Sequence, residues 1–541
     1  MTTTTRPGST GAASPSAGPG AAPGAAAGAA TRIDPRRMVA FIFMVFGMFM
    51  AILDIQIVSA SLSEIQAGLS ASADEISWVQ TAYLIAEVVM IPLSGFLSRA
   101  LSTRWLFVGS AAGFTIMSLL CATATNIDQM IVYRALQGFI GGGMIPTVFA
   151  AAYTVFPRDK QHIVSPVIGL VATLAPTVGP TIGGYLTELF SWHWLFLCNL
   201  LPGIVVTVST YLLVDFDEPE FSLLDRFDWT GLLFMAGFLG SLEFVLEEGP
   251  TNDWFDDGWI TIFALVTAVS AVGFFWRALT AAEPVVQLRA YLDRNFAVGS
   301  AFSFVMGIGL YGLTYLYPVY LARVRDYNAL MIGETMFVTG VCMFLTAPLA
   351  GRLSMKLDPR LMIAIGFFGF GLGTWQVTKI TVDWDFWELF MPQVLRGVSL
   401  MLCMVPITNL SLGTLPHETV KNASGLFNVS RNLGGAVGLA IINTVLNDRM
   451  DLHLSRLRES VTWGRDQAEL ALSTLTDSFA SLGPLAHSAA IKELSSMLRD
   501  QAQVMAFSDV FLALTFLFVG LIVAAPLLRR PGAATADGAG H

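Results

Sequence analysis

Apolar runs of about 20 residues return from Met38 to the neighbourhood of residue 527, with mostly short polar breaks between them, and this rhythm leaves few folds open. A run of that length crosses the hydrocarbon of a bilayer as a helix. Inside lipid every backbone polar group must find a partner within the protein, which restricts spanning segments to helices and closed barrels, and runs this long read as helices. Composition agrees with that reading. Of 541 residues, 54% are hydrophobic and only 13% charged, with a mean hydropathy of +0.64, whereas about a quarter of a water-soluble domain is charged. The chain reads as an all-α polytopic membrane protein.

About fourteen spans follow at that length, near 38 to 60, 76 to 98, 105 to 124, 128 to 153, 163 to 188, 194 to 214, 229 to 247, 259 to 279, 295 to 322, 329 to 354, 361 to 380, 387 to 413, 422 to 446 and 507 to 527. Residues 1 to 31 stand apart as an Ala/Gly/Pro/Ser/Thr tract, too poor in large apolar side chains to offset ordering entropy, so 1–37 is expected to be a disordered tail. The run from Met38 to Ala60 is too long for a signal peptide and is followed by no small-residue cleavage site; it reads as the first span. An even number of spans puts both termini on one side. Lys and Arg concentrate in the loops of that side, among them Arg36, Arg37, Arg99, Arg104, Arg158, Lys160, Arg277, Arg352, Arg360 and Arg529, so both ends are expected in the cytoplasm.

The net charge of -10 arises largely around the seventh span, from Asp215 to Asp228 and from Glu247 to Asp257, where solvated loops are the simplest reading. No basic face for nucleic acid is present. All four cysteines, Cys121, Cys198, Cys342 and Cys403, fall inside spans and read as small packing groups, with no disulfide framework and no metal-ligand spacing.

An internal repeat sets the architecture. The string Pro92-Leu93-Ser94-Gly95-Phe96-Leu97-Ser98, ending at Leu101 and Arg104, recurs without a gap from Pro348 through Leu349, Gly351, Leu353 and Ser354 to Leu357 and Arg360. One copy lies after span two and the other after span ten. The chain therefore divides into a tail at 1–37, a six-span half at 38–214, a two-span insert at 215–294, a second six-span half at 295–527 and a tail at 528–541. Span five carries a further signal, since Ser165 to Asn199 is interrupted by Gly179-Pro180 and Gly183-Gly184, and a bend is expected there.

Five strings together resemble the major facilitator superfamily, and within it the fourteen-span drug/proton antiporters of the EmrB type. They are Leu53-Asp54-Ile55-Gln56-Ile57-Val58, Arg134-Ala135-Leu136-Gln137-Gly138, the Gly179-Pro180-Thr181-Ile182-Gly183-Gly184 antiporter motif, Trp192 to Asn199 with Pro202, and Asn428 to Gly438. The resemblance covers about residues 38 to 446 and the last span. It implies a major facilitator fold, two six-helix bundles plus two inserted helices, with a substrate site between the halves near the midplane. It further implies a bacterial inner-membrane pump without cofactors, exchanging protons for amphipathic molecules and working with a periplasmic adaptor of the EmrA kind and an outer-membrane channel. One departure stands out. The family's first loop carries an acidic residue that Gly95 to Arg104 lacks, and with it goes the carboxylate of a gating salt bridge.

Ionisable groups at membrane depth are costly and are functional candidates by default. Asp54 and Arg134 each sit about six residues from the same face of the bilayer, roughly 9 Å deep at 1.5 Å per residue, so they can meet. Making and breaking that pair is one way to load and release a proton; a static ion pair holding the half together is the other reading. Glu87, near the centre of span two, is the second proton candidate, against a hydrogen-bonded structural acid. Gln56, Gln137, Gly138, Gly179, Pro180, Gly183, Gly184, Asn428 and Arg431 are candidates for the cavity or its gates. Glu243 and Glu334 read as packing or interfacial residues, Arg396 has no evident partner, and Arg431 reads equally as snorkelling or capping carbonyls.

Residues 447 to 506 read as a helical segment outside the membrane, broken at Gly483-Pro484, which could meet the adaptor or cover the cavity. Proton-coupled export is the leading function. A facilitator-fold uniporter or symporter for a small organic solute is the alternative; no catalytic or nucleotide-binding motif supports an enzyme.

Overall fold

A computed structural model describes residues 34–528 apart from 60, 158, 159 and 463. The tail expected at 1–31, most of that at 528–541, and Arg158 and Arg529 lie outside the described residues. Among the described residues, fourteen helices are long and apolar enough to cross a membrane. They are α1 (Pro35–Ser59), α2 (Trp78–Ala100), α3 (Ser102–Ala122), α4 (Ile127–Val155), α5 (Gln161–Leu189), α6 (Trp194–Leu213), α7 (Trp229–Glu248), α8 (Gly258–Thr280), α9 (Arg294–Arg323), α10 (Ala329–Leu353), α11 (Pro359–Val377), α12 (Phe386–Leu412), α13 (His417–Ser460) and α14 (Ala486–Ala524).

The spans begin where short polar side chains can occupy the first-turn amides, which have no partner within the helix. Asn126, Asp228, Asp257, Asp293, Asn328 and Asp385 each accept a hydrogen bond from a first-turn N–H of α4, α7, α8, α9, α10 and α12, respectively. Asp385 and Glu388 form a reciprocal pair at α12. The loop carboxylates that make the chain acidic thus also set helix ends.

Two six-helix bundles, α1–α6 and α9–α14, share one apolar core, and α7 and α8 form an inserted hairpin. The hairpin is tied by Arg277 to Asp228 at 2.7 Å and by the Ser241 and Thr267 hydroxyls at 2.8 Å. α7 packs on α2 and α13, whereas α8 is only 11% buried along its apolar window and turns most of its surface outward. Such an apolar face is stable only in lipid.

α5 is one helix from Gln161 to Leu189 and carries Pro166, Pro176 and Pro180 within it. Its glycines also serve close packing: a Cβ on Gly179 would fall 2.4 Å from the Gln56 Cβ of α1, and one on Gly183 3.0 Å from the Ile57 carbonyl oxygen. α4 does break, at Gly142-Gly143, between the helical stretches Ile127–Gly141 and Met144–Val155. Beyond residue 446 the chain forms no separate domain. α13 continues to Ser460, a helix follows at Asp466–Ser478, and Gly483, with φ of 57°, turns the chain into α14.

Candidate functional site

Asp54 and Arg134 meet inside the N-terminal half, both without exposed surface, with Arg134 Nη1 2.5 Å from Asp54 Oδ2. Five helices supply the surroundings. Asn199 Nδ2 of α6 donates to Asp54 Oδ1 at 2.7 Å and Gln137 Nε2 of α4 at 3.5 Å. Arg134 donates to the Val79 carbonyl of α2 at 3.2 Å and to Gln137 Oε1 at 2.7 Å, and its guanidinium lies 4.2 Å from the centre of the Tyr83 ring. Gln137 also donates to the Ser118 hydroxyl of α3 at 2.8 Å. Removing two charges from water costs several kcal/mol each, and a pair survives there only when further hydrogen bonds complete it. This network completes the carboxylate and leaves one donor over, Arg134 Nη2.

Gly138 explains how the helices come so close. A Cβ there would lie 2.3 Å from the Tyr83 carbonyl oxygen, so only glycine lets α4 lie on α2 and carry Arg134 up to Val79.

Glu87, 2% exposed, faces a different region. Its Oε1 has no partner, and it lines a crevice between α2, α7 and α13 together with Glu243, Glu247, Tyr311 and Asn432. Glu243 reads as a packing residue when taken alone, because a single carboxylate does not reveal which way an inserted helix is turned. The available signal was the spacing: two carboxylates one helical turn apart in an apolar span occupy one face.

Arg431 neither snorkels nor caps the helix. It is 2% exposed, donates to Asn428 Oδ1 at 2.8 Å, and lies 5.4 Å from the ring of Phe149 in the opposite half. Arg396 finds its partners without an acid, in the Thr314 hydroxyl at 2.6 Å, the Leu310 carbonyl at 3.3 Å and the Tyr317 ring at 5.7 Å. Gly184 is buried, its carbonyl accepting from the Thr187 hydroxyl at 3.1 Å, and Pro180 lies within α5.

The two halves are fastened at the end that carries both termini. Lys421 of α13 pairs with Asp217 and donates to the Ser98 carbonyl at 3.1 Å, while Asp217 accepts from the Thr103 backbone N–H at 3.1 Å. Gly95 to Arg104 has no acidic residue, and Asp217, from the segment leading to the insert, brings a carboxylate to Thr103 of that loop. Ser424 donating to the Pro146 carbonyl at 3.0 Å and Tyr153 to Asn409 at 3.1 Å complete the closure.

The family model of the Major Facilitator Superfamily matches residues 44–439. The chain belongs to this superfamily. Among its relatives, the Colistin resistance protein EmrB of Acinetobacter baumannii is 42% identical over 86% of this chain and 91% of its own length. The Probable multidrug resistance protein EmrY of Escherichia coli is 28% identical over 91% and 95%. The human organic anion transporter MFSD10 superposes with a TM-score of 0.57 at 13% identity, covering 90% of this chain and all of the other, which supports the fold. As a major facilitator, the chain is a transporter.

Proposed function

We propose that this transporter exports amphipathic toxic compounds across the bacterial inner membrane in exchange for protons, by alternating access. The observation that carries the reading is the fully buried Asp54–Arg134 pair, a titratable carboxylate of α1 held by donors from α4 and α6 of the same half. Rearrangement of those helices would strip donors from Asp54 and let it take up a proton; restoring them would expel it. The printed names of relatives, colistin resistance and multidrug resistance, support export of toxic amphiphiles as the cargo class.

The distribution of Lys and Arg puts both termini in the cytoplasm. Residues 447–506 then lie in the periplasm, where they would meet an EmrA-like adaptor coupled to an outer-membrane channel. Domain limits at 37, 214, 294 and 527 follow the two halves and the insert.

Proteoliposomes containing the purified chain test the reading, with wild type, Asp54→Asn and Glu87→Gln compared across cationic, neutral and anionic amphiphiles. Antiport predicts substrate-dependent proton movement that is lost in at least one variant. Transport that persists in both without any response to a proton gradient would refute it and favour facilitated diffusion.

A further inference from the structure

We propose that the crevice between α2, α7 and α13 is a proton relay, in which Glu247 and Glu243 of the inserted span pass protons to Glu87. The inference rests on the antiport reading above and gives the insert a place in it.

Four observations lead there. Glu243 and Glu247 stand one turn apart on α7 and line the same crevice as Glu87. Glu87 is 2% exposed, yet its Oε1 has no hydrogen-bond partner, and a buried carboxylate oxygen in that state points to a proton or water as its missing partner. The crevice measures about 60 Å³. A drug-sized ligand needs a pocket of roughly 300 Å³ or more, whereas a water needs about 10–15 Å³ by the same measure. The space therefore suits a short chain of waters and excludes a drug.

The fourth observation is the way in. Next to Glu247 on the chain, Glu248 lines a wide cleft of about 640 Å³ with Trp78, Phe244 and Asp257, at the end of the bundle away from the latched termini, and it accepts a hydrogen bond from Thr81 at 2.9 Å. Consecutive residues of a helix point about 100° apart, so the last turn of α7 presents one carboxylate to the cleft and its neighbour to the crevice. α7 spans the gap between bulk water and Glu87.

The step is a proton transfer with no other change. An O–H bond on Glu243 breaks as one forms on Glu87 through the intervening water, and Glu243 is left as carboxylate. Glu247 then gives its proton to Glu243 and takes one in turn from Glu248, which water in the cleft reprotonates. The charged groups around Glu87 are Arg431 of α13, Arg134 of α4 and Asp54 of α1, and Tyr311 of α9 lines the same space.

The test uses the full chain in proteoliposomes, with ethidium, an amphipathic cationic dye, as the probe. The readout is the ratio of efflux driven by a pH gradient to gradient-free counterflow. In Glu243→Gln/Glu247→Gln this ratio falls about ten-fold or more, the scale of a lost proton-transfer group; in Glu243→Asp/Glu247→Asp, which keeps both acids, it recovers. An unchanged ratio in the Gln pair overturns the relay. So does efflux driven equally well by a sodium gradient at constant pH and lost in the Gln pair, because the crevice would then be a sodium site. Counterflow in wild type with no response to pH would refute antiport, and an infrared pH titration then judges the relay separately. The carboxylic C=O band assigned to Glu87 by its loss in Glu87→Gln should shift its midpoint by about one pH unit in Glu243→Gln if the acids are coupled. A band that does not move overturns the relay.

Discussion

Arg134 keeps its charge in a place without water only because Asp54 faces it, and the energetics of buried pairs make an asymmetric prediction. Removing one partner strands the other, so Asp54→Leu and Arg134→Leu should each destabilise the protein by about 3–5 kcal/mol, while the double Leu variant should be more stable than either single one although inactive in transport. Thermal melting of the solubilised protein decides it; single variants that melt like wild type would mean the pair is solvated. A second residue lies outside the membrane. Asp385, at the start of α12, accepts from the Tyr327 hydroxyl and the Phe386 N–H and faces Arg325, and these partners hold its carboxyl below the ordinary value of 3.8. Its stabilisation of the α12 end is therefore full above pH 3.8 and is lost as the pH falls through the lower folded-state value. Hydrogen exchange at the Phe386 to Leu389 amides should rise in acid relative to the rest of α12, and Asp385→Asn should remove that pH dependence. Depth arithmetic made the Asp54–Arg134 meeting legible, since α1 and the Ile127–Gly141 stretch of α4 are each continuous helix and run in opposite directions. The donor Asn199 and the acceptor Ser118 were not legible, because a polar residue in a span announces only that it has a partner and not who that is.

Among the elements, close approach at glycine sets how near the helices lie. Gly138→Ala sets a Cβ against the fixed Tyr83 backbone, so α4 must shift away from α2, costing about 1–3 kcal/mol. Arg134 would withdraw from Val79 with it. Gly109→Ala is the control, because nothing lies within 4 Å of the added carbon, and helix propensity alone should stabilise α3 by up to about 1 kcal/mol. Equal melting temperatures for the two variants would contradict the packing argument. The span count and the two halves could be read from hydropathy and the repeat because both are properties of the chain alone. The rotation of α7 about its axis, which decides that Glu243 and Glu247 look inward, is a property of packing; a helix apolar nearly all round carries no sequence mark of which face meets its neighbours.

For the whole molecule, the fastening of the halves at the end bearing the termini depends on one exposed-edge ion pair reached from three segments, α2, α13 and the segment that carries Asp217. Asp217→Asn should weaken it by about 1 kcal/mol, a roughly five-fold shift toward the form open at that end. Spin labels placed across the two bundles there would report a longer-distance population that grows in the variant; an unchanged distribution would show that Ser424, Tyr153 and Asn409 hold the closure unaided. α13 links this event to the far side. At 44 residues it is a rod of about 66 Å, gripped near its middle, where a Cβ on Gly434 would lie 1.9 Å from the Phe304 carbonyl oxygen and one on Gly307 2.0 Å from that of Arg431. A rod held at its centre is a lever: a tilt of about 10° carries each tip roughly 6 Å, in opposite directions. Releasing Lys421 at one tip would therefore drive the other tip, the stretch around His453 clasped to Asp509 of α14 at 2.9 Å, inward by the same distance. The fulcrum spans Arg431 to Gly434 and so includes Asn432, so these groups turn in place while the ends of the rod travel.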